Sequence, residues 1–414
     1  MLKILHINVR LFEGGASRIA LDLHKNSNQF DFQSTFAYGY GKGGKPSIVE
    51  NEANDIFCLT KRLRVYGNYI LHRLFGIDFI KPDKKKIEII KNKIISSDIV
   101  HLHVIHSYFI PYKWLLSILI KYDKKVVWTV HDRWVLTGRC AITGKCQKWQ
   151  TNCGKCEFLN NYPNTVFDLS RNQSQKKEKL INRMKKNLFF IAVSNDIYKD
   201  IKLKYKNIRT DIIYNRVDSE FKEIANKIIL NGSENNIKLK VLIVGMNLAD
   251  PQKIDFDLIN KISKIDNCEI FTIGNNSQIK GDNIRNIGII INKREMVHYY
   301  SMVDVTLFTS TIDTFGLVIA ESLSCGTPVL AKSSEASKEV LSMVNGRALT
   351  NNEIIDRINN RKFLDIYKVD SREELRKLAL DKFSSNKMLE KYYDLYLKLY
   401  LETKGDIHKK RVTI

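Results

Sequence analysis

Residues 303–331, VDVTLFTSTIDTFGLVIAESLSCGTPVLA, constrain the fold more than any other stretch. An apolar, β-rich run from Val303 to Thr309 ends in a polar turn. A helix is then expected to open at Thr314-Phe315-Gly316 and to reach about Cys325, where Gly326 can stop it. Gly326-Thr327-Pro328 leads into a second apolar strand. Strand, loop, helix, strand is the parallel crossover of an α/β sheet. In such sheets ligands sit beyond the carboxyl ends of the strands, and the first amides of the following helix can hold an anion. That rule puts Asp313 to Leu317 at a site.

Glu321 lies eight residues after Asp313, two turns into a helix otherwise lined by Phe, Leu, Val, Ile and Ala. A buried carboxylate is costly unless something hydrogen-bonds it. Neighbouring hydroxyls of a sugar or ribose would satisfy both oxygens; capping a nearby loop or facing water would do so as well.

Taken as a whole, Asp313-x7-Glu321 within TFGLVIAESLSCGTPVLA resembles the acid-x7-acid signature of family 4 glycosyltransferases, which are retaining enzymes of the GT-B fold. It departs from the pattern at the first acid, where Asp313 stands for the usual Glu and has a shorter reach. The resemblance implies that Asp313 meets the donor sugar, that Thr314, Phe315, Gly316 and Leu317 hold the diphosphate, and that Glu321 holds the ribose. It also implies two Rossmann-like, doubly wound domains facing across a cleft, with the last helix returning to the first domain.

Earlier in the chain, strands are expected at Leu2–Asn8, Gln33–Tyr38, Asp55–Leu59, Ile99–Val104, Lys125–Val130 and from Leu188. Their alternation with helical stretches predicts a parallel, doubly wound sheet. Gly14-Gly15 follows the first strand and begins a helix. Two glycines there let a backbone approach a phosphate or sugar, or pack the helix on the sheet; the resemblance places them near the diphosphate and acceptor. VVWTVHDRW runs apolar to Val130 and stops at His131-Asp132, a strand's carboxyl end, and the family has a donor-contacting His at this point. His101 and His103 share one side of a strand and raise the question of a metal pair, although a hydrogen-bonded packing role is the commoner one.

The segment TGRCAITGKCQKWQTNCGKCEFLNNYP carries Cys140, Cys146, Cys153 and Cys156. Cys153-x2-Cys156 has chelate spacing, whereas Cys140-x5-Cys146 is loose, so structural zinc and unligated loop thiols both stay open. From HDRW through this loop to Asn161-Tyr162-Pro163 the chain looks like a subgroup of family 4 enzymes from bacterial capsule, colanic acid and O-antigen clusters. In the second half, KVLIVGMNLADPQKID offers Lys253 for the diphosphate, with Met246-Asn247 where many family members carry an Arg. Asp255-Phe256-Asp257 is formally a metal-nucleotide DxD, but heading a helix it fits first-turn acids better.

The organisation expected is an N-terminal acceptor domain over 1–218 with the cysteine loop at 138–163, a linker over 219–238, and a donor domain over 239–385. A returning helix with a basic tail is expected over 386–414. At 414 residues and 44% hydrophobic content, two cores can be buried. No uncharged apolar stretch reaches the roughly 18–20 residues that span a bilayer, so a cytoplasmic protein is expected. A net charge of +22 calls for an anionic partner. Basic residues thicken at Lys61–Lys93 and at Arg171–Lys206; the first run also carries Tyr66, Tyr69, Ile70, Phe75 and Phe79, a mixture suited to an anionic leaflet or, more plainly, to a solvated face. Nucleic acid is not expected, because no recognition motif underlies the charge. The implied reaction moves a sugar from a UDP- or GDP-sugar to a lipid-linked oligosaccharide, with no metal needed for catalysis. An epimerase or phosphorylase of the same fold, and a non-catalytic basic adaptor, are the rival readings.

Overall fold

A computed structural model describes residues 1–46, 55–227, 238–384 and 386–412, the last helix by its backbone alone from residue 403. The chain divides into two compact units, Met1–Ile213 with Lys387–Ile414, and Tyr214–Asn386.

The first unit holds seven parallel strands: β1 (Leu2–Asn8), β2 (Phe32–Tyr38), β3 (Ile56–Cys58), β4 (Ile99–Leu102), β5 (Lys125–Val130), β6 (Leu188–Ala192) and β7 (Arg209–Ile212), in the order β3-β2-β1-β4-β5-β6-β7. All six residues of β5 are buried, as an interior parallel strand covered on both faces requires. The strand order reverses between β1 and β4, and their register sets His6 opposite His101. Helices α1 (Gly15–Lys25), α2 (Arg62–Phe75), α3 (Lys84–Ser96), α4 (Tyr112–Lys121), α5 (Ser170–Arg183) and α6 (Asn195–Lys204) join these strands.

In the second unit, α7 (Ser219–Lys227) precedes β8 (Leu239–Asn247). There follow α8 (Phe256–Ser263), β9 (Cys268–Asn275), β10 (Ile284–Gly288), α9 (Lys293–Met302), β11 (Val305–Phe308), α10 (Leu317–Ser324), β12 (Val329–Ala331), α11 (Glu335–Ser342), α12 (Asn351–Asn359) and α13 (Arg372–Phe383). The five strands are parallel in the order β10-β9-β8-β11-β12, reversing between β8 and β11. The closing helix, α14 (Lys387–Val412), belongs to the first unit, where Tyr393 donates to Leu23 O at 2.7 Å and Tyr396 is fully buried.

Three local expectations change. The helix after β11 opens at Leu317, not Thr314, because Gly316 takes a left-handed conformation (φ 84°) and acts as its N-cap. The stretch 219–238, expected as a linker, begins with α7, anchored by Phe221 beneath the Tyr300 ring; its remainder, 228–237, lies outside the described residues. β7 had no counterpart in the sequence reading: RTDI is short, polar and at the sheet edge.

Candidate functional site

In the second unit the expected donor residues gather at the carboxyl ends of β8 and β11, the two strands flanking the switch in strand order. Lys253, in the loop after β8, donates from Nζ to Asp313 Oδ1 at 3.1 Å, with both side chains partly exposed. Its carbonyl accepts from Thr309 Oγ1 at 2.8 Å, which ties the loop to the end of β11. Thr314 and Phe315 form the turn into α10, with the Phe315 ring buried. The Ile319 amide bonds back to Gly316 O at 2.9 Å, so the helix's own hydrogen bonding starts there. Amides ahead of it lie in the first turn, whose N–H groups find no intrahelical acceptor.

Glu321 is buried, and Tyr300 on α9 donates to its Oε2 at 3.0 Å. Tyr300 is therefore a partner of the expected ribose carboxylate that the sequence reading missed. Only its place on the buried face of the helix just before β11 could have hinted at it. Asp255 does not present a free DxD carboxylate. It caps α8 through Leu258 N at 3.0 Å, pairs with Lys332 at 2.5 Å and accepts from Asn351 at 3.1 Å. Burial raises its pKa, but these hydrogen bonds outweigh burial and hold it below the usual carboxylate range.

In the first unit, Gly14 is the N-cap of α1 with φ 91°, a conformation that only glycine adopts without strain, and Gly15 is the helix's first residue. Beside them one carboxylate oxygen of Glu13 is buried with no hydrogen-bond partner among the described residues. His131, after β5, shares a hydrogen bond between its Nε2 and His103 Nδ1 at 3.1 Å. Burial pushes its pKa down to about 4, against the pull of Asp132. Asp132 itself caps the turn at Trp134 N (2.8 Å) and pairs with His106 Nε2 (2.9 Å). It thus orients the loop and His106.

The four loop cysteines line a single pocket with Arg139, Trp149 and Ser170. Cys153 Sγ accepts from Gly138 N at 3.2 Å, and the Cys140 thiol is pushed up to about 11 by burial. In a tetrahedral zinc–tetrathiolate site the sulfurs lie roughly 4 Å apart. Among the described residues, the one group of three metal-capable side chains that converges within 4.8 Å is His6, His101 and His103. Of the two readings left open for Cys140, Cys146, Cys153 and Cys156, structural zinc is thus not supported. The loop is held instead by buried Arg139, which donates to the carbonyls of Phe158, Asn161 and Pro163.

Residues 277–375 match the family model described as "Glycosyl transferases group 1". The chain is 31% identical over 411 residues to WcaC of Escherichia coli (strain K12), named for colanic acid biosynthesis as a glycosyl transferase; the match covers 96% of this chain and 100% of the relative. Its fold is similar to that of sucrose-phosphate synthase from Thermosynechococcus elongatus, with a TM-score of 0.64 at 14% identity over 97% of this chain and 100% of that one. It is also similar to Anabaena Alr3699/HepE, solved with UDP and glucose, with a TM-score of 0.57 at 14% identity over 99% and 100%.

Proposed function

The chain belongs to the group 1 glycosyl transferases, and on that premise we propose that it moves a sugar from a UDP- or GDP-sugar to a hydroxyl of a lipid-linked saccharide, with retention, in surface polysaccharide synthesis. The pathway is taken from WcaC, named for colanic acid biosynthesis, and the donor class from HepE, solved with UDP and glucose. The observation that carries the reading is the Lys253–Asp313 pair at the switch point of the second sheet, next to the Gly316-capped start of α10.

A leaving diphosphate needs positive charge. The Lys253 ammonium and the first-turn amides of α10 supply it where the charge develops. When diphosphate takes Lys253, Asp313 is released to accept from a donor sugar hydroxyl. Glu321, braced on one oxygen by Tyr300, accepts from the ribose. Gly14 and Gly15 give backbone access to phosphate and acceptor, and neutral His131 meets the donor sugar. The departing phosphate oxygen takes the acceptor's proton on the same face, so the configuration is kept without a protein nucleophile.

The reading includes docking on the inner, anionic face of the cell membrane. Leu63, Tyr66 and Ile70 form one exposed stripe along α2 at helical spacing, and Phe79, Val166 and Phe167 are exposed as well. Asn68 fastens the Phe79-Ile80 backbone to α2 by accepting from both amides, at 3.0 and 2.7 Å. Val166 and Phe167 donate to the carbonyls of Arg73 and Leu74 at 2.8 and 2.9 Å. Arg62 and Arg73 lie on the same helix, with the Arg62 guanidinium over the Tyr66 ring, and Lys84 to Lys86 open α3, on a chain of net charge +22.

A panel of UDP- and GDP-sugars with a lipid-linked saccharide acceptor tests the proposal, with the product's anomeric configuration read by NMR. Transfer with the donor's configuration supports it. Inverted product, or turnover of the nucleotide sugar with no acceptor product, opposes it.

A further inference from the structure

We propose that His103 and His6 are positioning residues that fix which ring nitrogen of His131 carries its proton. The three rings form one hydrogen-bonded chain through the first sheet. His6 Nδ1 lies 3.2 Å from His103 Nε2, and His103 Nδ1 lies 3.1 Å from His131 Nε2. The His6 and His103 rings stack at 5.5 Å between centroids, and those of His103 and His131 at 5.4 Å.

Counting protons limits what such a chain can do. A neutral imidazole has one N–H and one acceptor nitrogen, and each shared contact takes one proton. Both nitrogens of His103 are committed. If it donates from Nδ1, His6 must donate to it and His131 must accept at Nε2, so all three rings are protonated on Nδ1. If it donates from Nε2, all three are protonated on Nε2. No mixed arrangement satisfies both contacts, so the tautomer of His131 is tied to that of a ring two hydrogen bonds away.

The surroundings hold the chain rigid and neutral. His101 packs on His103 at 4.0 Å between centroids, and its own nitrogens meet the Tyr396 hydroxyl at 2.6 Å and Thr129 Oγ1 at 2.8 Å. Tyr392 reaches the same Thr129 oxygen at 2.9 Å, so α14 buttresses the cluster. The charged and titratable groups facing the chain are Asp132 at His131, His101 beside His103, and His24 with Asp55 and Lys25 at the His6 end. His6, His101 and His103 have the convergence of a metal site, but the His6–His103 bond and the two bonds of His101 already engage the nitrogens a cation would need.

The test uses full-length protein labelled with 15N-histidine. Long-range 1H–15N correlation at pH 7.5 reports the tautomer of each ring, assigned through single His variants. His6, His103 and His131 are expected to carry protons on the same nitrogen. His6→Phe, which keeps a ring against Phe36, is expected to turn His131 from one tautomer into a mixture. This readout holds whether or not sugar transfer is the activity. A second readout rests on the proposed function: His103→Gln should lower kcat about tenfold with donor KM within about twofold. Unlike tautomers in the wild-type chain, metal-shifted 15N resonances, or a His131 spectrum unmoved in a folded His6→Phe or His6→Gln variant would each overturn the proposal. The wild-type tautomers decide the matter alone if neither variant folds.

Discussion

Tyr300 donates its hydroxyl to Glu321 Oε2 over 3.0 Å in the interior of the second unit. Taking a hydrogen-bond donor away from a buried carboxylate costs stability. Tyr300→Phe should therefore destabilise the protein by about 1–3 kcal/mol, read as a lower midpoint of chemical unfolding. If Glu321 serves the ribose, the variant also weakens nucleotide binding, which calorimetry with UDP and GDP measures.

Lys253 and Asp313 form a different kind of pair, 3.1 Å apart with side chains roughly a third and a quarter exposed (32% and 26%). Exposed ion pairs stabilise by only about 0–1 kcal/mol. Lys253→Met should leave the unfolding midpoint nearly unchanged while cutting turnover about 10²-fold, because its charge is needed on the leaving diphosphate. A parallel loss of stability and turnover would assign Lys253 to the scaffold.

Two glycines at positive φ differ in what a side chain would meet. Gly316 sits at φ 84°, and a Cβ there would meet Ile319 Cδ1 at 3.2 Å, a contact that a side chain can relieve. Gly316→Ala should cost about 1–2 kcal/mol, the left-handed penalty for an L residue. At Gly274 a Cβ would lie 1.9 Å from the Gly245 carbonyl oxygen, which is fixed in the neighbouring strand. Gly274→Ala should be the worse of the two, and yield of soluble protein with melting temperature ranks them.

Much of this architecture was legible in the sequence, for reasons visible in particular residues. Interior parallel strands such as KVVWTV are continuous apolar runs, so β5 could be bounded to the residue. β7 was not legible because RTDI is an edge strand of four residues, three of them polar. The start of α10 was misjudged by three residues because nothing in TFG shows that glycine, and not threonine, would be the cap. Strand ends and the family resemblance pointed to Lys253, Asp313, Glu321 and His131. They could not reveal Tyr300 under Glu321 or His6 behind His103, since those contacts arise from packing between elements distant in sequence. The cysteine spacing was compatible with zinc, yet buried Arg139 organises the loop through carbonyls that carry no sequence signal.

Acid should unfold the first unit early. Burial lowers the pKa values of His6, His101, His103 and His131, the last from 6.5 to about 4. The folded state therefore resists protons that the unfolded chain binds. This stability is fully present above the unfolded value near 6.5 and is lost as pH falls from there toward the folded values. Melting temperature should drop between pH 6.5 and 4.5, more gently in a folded His103→Gln variant.

The exposed stripe on α2 gives a membrane prediction. Leu63→Ser with Ile70→Ser should reduce sedimentation with phosphatidylglycerol vesicles several-fold while leaving the melting temperature unchanged, since both side chains are already exposed. Binding of the wild-type protein should weaken with added salt and with neutral vesicles.

The decisive measurement for Glu321 as the ribose ligand is turnover of Glu321→Ala at saturating nucleotide sugar, in protein whose melting curve shows it folded. A loss of at least about 10²-fold relative to wild type is expected. Wild-type turnover from folded Glu321→Ala protein would contradict it.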